Sequence, residues 1–234
     1  MIMTLKRLAA PKFWRIEKKT KKFVVKPLPG PHSKDRCLPI GIILRDMLGY
    51  AYTMKEAKTI LKNCIVKVDG KIKTQNNFPV GLMDVVSVGD EFYRVLPDSR
   101  GLTVKKIAKN ESKTKLLRIE NKICIKKNKI QLNLHDGKNI VVESNDHGTN
   151  DVLVFDIEGK TIKDVLRFEK GSKALITKGN NIGSVVIIKD NIITKSSMPN
   201  QAVVELDGRS FTLPVSYLFV VGRDKPVVDL GEQL

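Results

Sequence analysis

One stretch of the sequence combines a helix signal with a hairpin signal: residues 53–72 read TMKEAKTILKNCIVKVDGKI. Thr53 followed by Glu56 is a capping box, in which each side chain bonds a backbone N–H of the other residue at a helix start. The residues after it have apolar side chains at helical spacing, which predicts one buried face: Met54, Ala57, Ile60 and Leu61. Asp69-Gly70 between short runs of β-formers predicts a two-residue hairpin turn. The stretch therefore predicts a short helix followed by a hairpin.

The flanking sequence extends this unit into a module over residues 38–101. Before the capping box, the apolar run from Leu38 to Leu48 predicts a first short helix that ends at Gly49. After the hairpin, the run from Val85 to Leu96 predicts further strands, and residues 97–101 close the unit. The sequence thus predicts a compact helix–helix–hairpin module.

The charge of the chain indicates a polyanionic partner. Its 234 residues hold 42 Lys and Arg against 25 Asp and Glu, a formal net charge of +17. Nucleic acid and an anionic membrane surface both satisfy such a charge. However, no stretch of about 18 apolar residues is free of charges, and the basic N-terminus lacks the pattern of a signal peptide. We therefore expect a cytoplasmic nucleic acid as the partner, and no membrane.

The cysteines and histidines do not follow the spacing of a metal site. Cys37, Cys64 and Cys124 are widely separated and have no Cys-x-x-Cys or Cys/His pairing. We expect them to be small buried side chains in a reducing compartment. The three histidines are equally scattered. We therefore expect no metal and no other cofactor.

Residues 1–37 form a basic, proline-rich segment that we interpret as an N-terminal arm. Residues 1–36 hold eleven Lys and Arg against two acids, which is over half of the net charge. Phe13, Trp14 and Phe23 stand among these charges, and aromatic side chains can stack on RNA bases while cations neutralise phosphates. The alternative is that these aromatic residues dock on the protein's own core. We expect the arm to be disordered in the free protein and to become ordered on RNA.

Several blocks of the sequence resemble one ribosomal family. The segments LKRLAAPKFW, VVKPLPGPHS, VKVDGKI, FPVGLMDVVSV and PDSRG are similar to blocks of the archaeal and eukaryotic ribosomal protein S4e family. The resemblance covers essentially the whole chain, and residues 38–101 resemble the S-four RNA-binding domain. Arg36-Cys37 departs from the family pattern, where small or acidic residues are expected at the helix start. The short end after about residue 222 looks more archaeal than eukaryotic.

The rest of the chain predicts β structure. Residues 102–170 hold short strand-like runs separated by turn signals such as His135-Asp136-Gly137, which predicts a central all-β domain. Residues 171–234 begin with GSKALITKGNNIGSVV, which resembles a KOW motif: two strands joined by a loop in which Gly179 and Gly183 permit positive φ. This loop lacks a phosphate-binding glycine signature. The fold class expected is α+β and mostly β: a basic arm, a small helix–helix–hairpin RNA-binding module, a central all-β domain and a small SH3-like β-barrel with a KOW motif.

The resemblance implies a structural constituent of the small ribosomal subunit without catalytic activity. Such a protein binds small-subunit ribosomal RNA and neighbouring ribosomal proteins, supports assembly, and has no small-molecule substrate. Two alternatives stay open. S-four-like modules are often appended to RNA-modifying enzymes, and a KOW motif alone would fit a transcription elongation accessory. Residues 102–234 show neither a Rossmann-type glycine fingerprint nor an acid/base constellation, which disfavours the enzyme.

We predict RNA contacts in three parts of the chain and no catalytic residue. In the arm they are Lys6, Arg7, Lys12, Trp14, Arg15, Lys18, Lys19, Lys21, Lys22, Lys26 and His32. In the module they are Arg45, Lys55, Lys58, Lys62, Lys71, Lys73 and Arg100, and in the barrel Lys173 and Lys178. Lys55, Lys58 and Lys62 share one face of the predicted helix, which is also the pattern of an ordinary solvated face.

Overall fold

The computed structural model describes residues 4–126, 129–143 and 145–230. The chain divides into two compact units, Met1–Ser112 and Lys113–Leu234. Its regular structure is mostly β-strand with few helices, as the sequence predicts. Within the described residues, no helix combines the length and the apolar character needed to span a membrane.

The first unit combines two short helices, two 3-10 turns (Arg7–Ala9 and Lys34–Arg36) and three small sheets. Its strands are β1 (Thr4–Lys6), β2 (Phe23–Val25), β3 (Cys37–Pro39), β4 (Val66–Val68), β5 (Lys71–Ile72), β6 (Pro79–Gly81), β7 (Val85–Val88), β8 (Glu91–Asp98) and β9 (Gly101–Ile107). β1 pairs with β2, β3 pairs with β6, and the five others form a sheet in the order β5-β4-β7-β8-β9. All of these pairs are antiparallel.

The two helical segments lie where the sequence predicts them. The first, α1, is α-helical over Ile40–Ile42 and continues as a π-helix over Ile43–Met47. It is followed by Gly49 at φ +71°, the left-handed conformation that glycine adopts at low cost. The second, α2, spans Met54–Lys62. The predicted start of the first helix is two residues early, because Leu38 belongs to β3.

The capping box of α2 and the hairpin turn are both confirmed. The backbone N–H of Glu56 donates to Oγ1 of Thr53 at 3.2 Å, and the Glu56 carboxylate accepts from the backbone N–H of Thr53 at 3.4 Å. Asp69 and Gly70 have φ values of +48° and +74°, as a two-residue turn of type I′ requires. The helix and the hairpin are therefore fixed by interactions between residues that are close in sequence.

One core joins the helices, the sheet and the N-terminal residues of the first unit. Ala57 and Leu61 of α2 are fully buried against it, and Met54 and Ile60 are half-buried at its edge. The other fully buried apolar side chains of this cluster are Leu38, Ile40, Ile42, Ile43, Leu44, Val66, Val80, Val86 and Val95. Leu5, Ala10 and Trp14 belong to the same cluster. The N-terminal segment is thus part of this core.

The first unit continues beyond residue 101. β9 pairs with β8 along its length, from Asp98 opposite Gly101 to Phe92 opposite Ile107. The predicted boundary after residue 101 therefore falls at the start of β9, directly after a hairpin turn. β9 therefore belongs to the sheet of the module, because it pairs with β8 from the turn onward.

The second unit contains two five-stranded antiparallel sheets. Its strands are β10 (Thr114–Ile125), β11 (Lys129–Leu134), β12 (Asn139–Val142), β13 (Val152–Asp156), β14 (Ile162–Leu166), β15 (Lys173–Ile176), β16 (Val185–Ile192), β17 (Gln201–Leu206), β18 (Arg209–Pro214) and β19 (Leu218–Gly222). The sheet orders are β12-β11-β10-β13-β14 and β18-β17-β16-β15-β19. The predicted turn at residues 135–137 joins β11 to β12. The predicted Gly-rich loop joins β15 to β16, with Gly179 at φ +103° and Gly183 at φ +89°.

A buried charge cluster stabilises one end of the first of these sheets. Lys115 and Asp136 are almost fully buried, and Nζ of Lys115 lies 3.1 Å from Oδ2 of Asp136. Nζ of the half-exposed Lys138 lies 2.9 Å from the same oxygen. Burial opposes ionisation of Asp136, but the two ammonium groups outweigh it and lower its pKa to about 2. The carboxylate is therefore charged throughout the neutral range.

The prediction that all three cysteines are buried is wrong for two of them. Cys37 is buried. Its pKa is raised to about 12, mainly by burial and in addition by the negative charge of Asp35. Cys64 is exposed because it lies in the turn after α2, and Cys124 because it lies on the part of β10 that extends past the sheet core. Among the described residues, no cluster of three or more His, Cys, Asp or Glu side chains could hold a metal.

Candidate nucleic-acid interface

Three lysines form a charged stripe on the outer face of α2. Lys55, Lys58 and Lys62 are exposed, and at 3.6 residues per turn they lie within an arc of about 60°. Ala57 and Leu61 lie on a different, buried side of the helix and anchor it to the core. Within the described part of the chain, none of the three lysines forms an ion pair. The stripe therefore presents three ammonium groups to solvent from a helix whose orientation is fixed by its buried face.

The hairpin that follows α2 carries further cations. Lys71 is exposed, whereas Lys73 is half-buried with its Nζ 4.2 Å from the centre of the Phe78 ring. Lys67 is exposed on β4 between two buried valines, and sequence reasoning missed it. The alternation Val66-Lys67-Val68 was the available signal, since the middle residue of such a strand faces away from the core. We use the name basic helix–hairpin surface for Lys55, Lys58, Lys62, Lys67 and Lys71.

In this structure the N-terminal segment packs on the first unit and is not a detached arm. Trp14 is 2% exposed, and its Nε1–H donates to the carbonyl oxygen of Cys37 at 2.9 Å. A Cβ at Gly101 would fall 2.4 Å from Cβ of Phe13, so this part of the segment lies directly on the β8–β9 turn. The alternative in which Phe13 and Trp14 dock on the protein's own core is the one that the structure adopts.

His32 attaches the C-terminal end of this segment to the core of the first unit. Its Nε2 lies 2.9 Å from Oδ2 of Asp84, and both side chains are buried. The same carboxylate oxygen accepts the backbone N–H of Gly81 at 2.8 Å. A Cβ at Gly81 would fall 2.4 Å from the imidazole, so only glycine fits beneath the ring.

Three of the predicted RNA contacts are buried in this structure. Trp14 and His32 are buried as described, and Arg7 is 5% exposed with its Nε–H donating to the carbonyl oxygen of Glu17. Their polar atoms form hydrogen bonds within the fold. The sequence predicts contacts from residue type alone. It does not show burial here, because the buried partners lie up to 52 positions away.

The other predicted cations of the segment remain accessible to different degrees. Arg15 forms an ion pair with Asp98, and Nζ of Lys22 lies 5.6 Å from the centre of the Phe23 ring. Lys18 and Lys26 are half-buried. The predicted lysine contacts of the segment that are exposed are Lys6, Lys12, Lys19, Lys21 and Lys22, and Lys34 is exposed as well.

The remaining predicted contacts differ in how far their charge is already neutralised. Arg45 forms a two-pronged interaction with its neighbour Asp46, at 3.1 Å from Nε to Oδ1 and 2.8 Å from Nη2 to Oδ2. Arg100 is exposed in the β8–β9 turn. In the second unit, Lys173 is half-buried in β15, and Nζ of the exposed Lys178 lies 5.8 Å from the centre of the Tyr217 ring.

Comparison with known proteins identifies the family. A model described as Ribosomal family S4e matches residues 89–162, and the RS4NT (NUC023) domain model matches residues 4–35. The small ribosomal subunit protein eS4 of Methanosphaera stadtmanae is 43% identical over 229 residues, which cover 97% of this chain and 95% of the relative. The chain belongs to ribosomal family S4e. The S4e relative from Archaeoglobus fulgidus is 42% identical over 231 residues and 97% of both chains.

A solved S4e structure has a similar fold. The crystal structure of the 30S ribosomal protein S4e from Thermoplasma acidophilum matches with a TM-score of 0.72 at 30% sequence identity. The match covers 80% of this chain and 96% of that one. In this S4e chain the RS4NT match coincides with the packed N-terminal segment, which therefore corresponds to a recognised domain of the family.

Proposed function

We propose that this chain is a structural constituent of the small ribosomal subunit and that it binds small-subunit ribosomal RNA without catalytic activity. The observation that carries the RNA contact is the stripe of Lys55, Lys58 and Lys62, exposed on a helix held by its buried face. The eS4 names of its relatives support the ribosomal location. Its partners would be the RNA and neighbouring ribosomal proteins in the cytoplasm, with no cofactor, membrane or small-molecule substrate. Co-sedimentation with small subunits through a salt-washed gradient tests this assignment, and loss of the protein from the subunit fraction would contradict it.

We also propose a division of labour along the chain. Residues 38–101 would act as the S-four-type RNA-binding module, and residues 1–37 would add exposed lysines beside it. Residues 102–170 would form a central β domain and residues 171–234 a KOW-type SH3-like barrel with a further contact at Lys173 and Lys178. The capped helix with its lysine stripe supports the first assignment, and the Gly-rich connection between β15 and β16 supports the last.

The physical basis of binding is phosphate neutralisation by lysine. A lysine ammonium is a compact charge that can approach any phosphate, and neutralised phosphates release condensed counterions. Folded RNA is recognised largely by shape, so a rigid array of cations can select an arrangement of phosphates without reading bases. The exposed lysines of the basic helix–hairpin surface meet that requirement because α2 and β4 are fixed by the core.

Binding to small-subunit ribosomal RNA should weaken steeply as salt increases. Each neutralised phosphate contributes about 0.7 to 0.9 to the slope of log affinity against log salt concentration, so six or more contacts would reduce the affinity by about a thousandfold between 50 and 200 mM salt. Filter binding over that range measures the slope. An affinity that stays flat would indicate a partner other than a polyanion.

Changing Lys55, Lys58 and Lys62 together to alanine should lower RNA affinity and leave the fold intact. Alanine is the better helix former, and the change removes like charges three and four residues apart. If each lysine contacts one phosphate, the salt slope should decrease by about 2 to 3. Affinity and slope are measured as for the parent, with thermal unfolding as the check on folding.

A matched control loses the same formal charge elsewhere. Lys163, Lys170 and Lys189 are exposed in the second unit, and each already pairs with an acid, at 3.2, 2.8 and 2.7 Å from Nζ to the carboxylate oxygen. Changing these three to alanine should alter the slope less than the α2 triple variant does. Equal effects of the two triple variants would mean that net charge, and not the lysine stripe, governs binding.

A further inference from the structure

The segment between the two helices holds two tyrosines with different environments. Tyr50 is engaged within the fold: its ring lies edge-on to Tyr93 at 6.5 Å, and the two hydroxyl oxygens are 2.7 Å apart. Tyr52 is 93% exposed, the highest value among the exposed large apolar and aromatic side chains of the described residues. No ring contact or hydrogen bond of its side chain occurs within that part of the chain. The fold therefore gives no intramolecular role to this ring.

The position of Tyr52 next to the helix cap makes the exposure of its side chain unusual. Tyr52 precedes the N-cap residue Thr53, and an apolar residue in that position often packs on the fourth residue of the helix. Here the fourth residue is Ala57, which is fully buried, and the Tyr52 ring does not cover it. The sequence thus places a large aromatic side chain where the usual local packing is absent.

The backbone of Tyr52 is nevertheless held firmly. Its N–H donates to Oε2 of Glu56 at 2.9 Å, and this hydrogen bond, together with those from Thr53, lowers the pKa of Glu56. The charged carboxylate thus fixes the point from which the ring projects. A tyrosine ring has only two side-chain torsions, so a fixed backbone leaves it little freedom to lose on binding.

The neighbouring charge identifies the kind of ligand. Lys55, the first lysine of the stripe, lies three residues after Tyr52, so their Cα atoms are at most about 10 Å apart. A single strand of RNA can present a phosphate to the lysine and an unpaired base to the ring. Unpaired bases in loops and bulges are recognised by stacking on aromatic side chains.

We propose that Tyr52 is a stacking platform for an unpaired RNA base beside the phosphates bound by the α2 lysines. The inference rests on the proposed RNA-binding function and adds to it a contact that does not depend on charge. Stacking requires the flat face of the ring, so the phenol oxygen is not needed. The proposal also predicts that removing the ring leaves the salt slope unchanged, unlike removing the lysines, because a stacked ring neutralises no phosphate.

The test compares Tyr52→Ala, Tyr52→Phe and Tyr52→Leu in binding to an in vitro transcript of the small-subunit ribosomal RNA from the same organism. The alanine variant should bind about 5- to 100-fold more weakly at every salt concentration, with an unchanged salt slope. Tyr52→Phe should bind as tightly as the parent, because it keeps the ring. Tyr52→Leu, which is apolar but has no ring, should bind as weakly as Tyr52→Ala. Ile193→Ala is the matched control, because it removes a 72% exposed apolar side chain in the second unit.

Each outcome separates this inference from the proposed function. Salt-dependent binding by the parent with no loss in Tyr52→Ala would overturn the stacking role alone. Equal binding by the leucine and tyrosine proteins would also overturn it, because the side chain would then act as an apolar contact such as a protein partner uses. Salt-independent binding by the parent would overturn the proposed function and this inference with it.

A fluorescent reporter gives an independent reading of the same contact. Trp14, the one tryptophan of the sequence, is buried, so Tyr52→Trp adds an exposed emitter that can be distinguished from it. Acrylamide should quench the added tryptophan in the free protein and much less in the complex with RNA. Equal quenching in both states would overturn the proposal.

Discussion

Replacing Trp14 by alanine should destabilise the first unit by about 3–5 kcal/mol, because truncating a buried tryptophan removes apolar burial and leaves a cavity. The Trp14 side chain packs in the same cluster as Leu5 and Ala10, and its indole N–H bonds the carbonyl oxygen of Cys37. A single domain is commonly stable by only about 5–15 kcal/mol, so the loss is a large fraction of the total. The variant should therefore populate unfolded forms of the first unit under mild denaturant.

Hydrogen exchange in residues 38–98 is the suitable measurement, since unfolding of the whole chain mixes the transitions of two units. Trp14→Phe is the matched control: it keeps an aromatic side chain in the core and loses only the hydrogen bond and part of the volume, so its effect should be smaller. Exchange in Trp14→Ala equal to that of the parent would mean that the N-terminal segment does not support the unit.

The same residue reports whether the segment is ordered before RNA binds. As the one tryptophan, Trp14 makes the intrinsic fluorescence of the parent a probe of this segment alone. The emission of the free protein should be blue-shifted relative to a solvated tryptophan and should shift to the red on denaturation. A red emission in the native free protein would instead support the disordered arm that the composition predicted.

A packed segment changes how its lysines contribute to RNA binding. A disordered arm loses conformational entropy when it orders on RNA, which lowers the affinity obtained from each contact. Lys6, Lys12, Lys19, Lys21 and Lys22 project from a segment that the core already orders. We therefore propose that they act as part of a pre-formed surface and do not thread as a flexible arm into the RNA.

The parts of the fold that could be predicted from sequence are those fixed by neighbouring residues. The capping box joins Thr53 to Glu56, and the turn at Asp69-Gly70 needs only two residues that tolerate positive φ. The lysine stripe of α2 follows from helical spacing once the helix is assigned. Lys67 could have been included on the same grounds, because strand alternation is also a local property.

The packing of the N-terminal segment could not be derived from the sequence, because it depends on contacts between residues far apart in the chain. Trp14 bonds a carbonyl 23 positions away, and His32 bonds Asp84 52 positions away. A net charge of +9 over the segment indicated disorder because composition counts residues and does not register where the few apolar ones pack. In the fold, a small number of apolar side chains on an existing core is enough to order a highly charged segment.

Removing the buried carboxylate of Asp136 should destabilise the second unit by about 3–5 kcal/mol, because it removes an opposite charge that offsets the desolvation of a buried ammonium group. In Asp136→Asn, the ammonium group of the fully buried Lys115 would lose the carboxylate at 3.1 Å. Lys138 also loses this carboxylate, but it is half-exposed and water can solvate it. Lys138→Ala is therefore the matched control, with a smaller expected loss, and chemical denaturation followed in β10 and β11 measures both.

The pH dependence of the parent gives this prediction a second reading. The pKa of Asp136 in the folded chain is about 2, below its ordinary value of 3.8, so the folded state holds the charged form more strongly than the unfolded state does. The resulting stability is fully present above the ordinary pKa and is lost as the pH falls towards 2. In Asp136→Asn this loss between about pH 4 and pH 2 should be reduced, because the group that titrates is gone. A variant with the parent's stability at neutral pH and the parent's full acid dependence would show that Lys115 finds compensation elsewhere and that the pair does not stabilise the sheet.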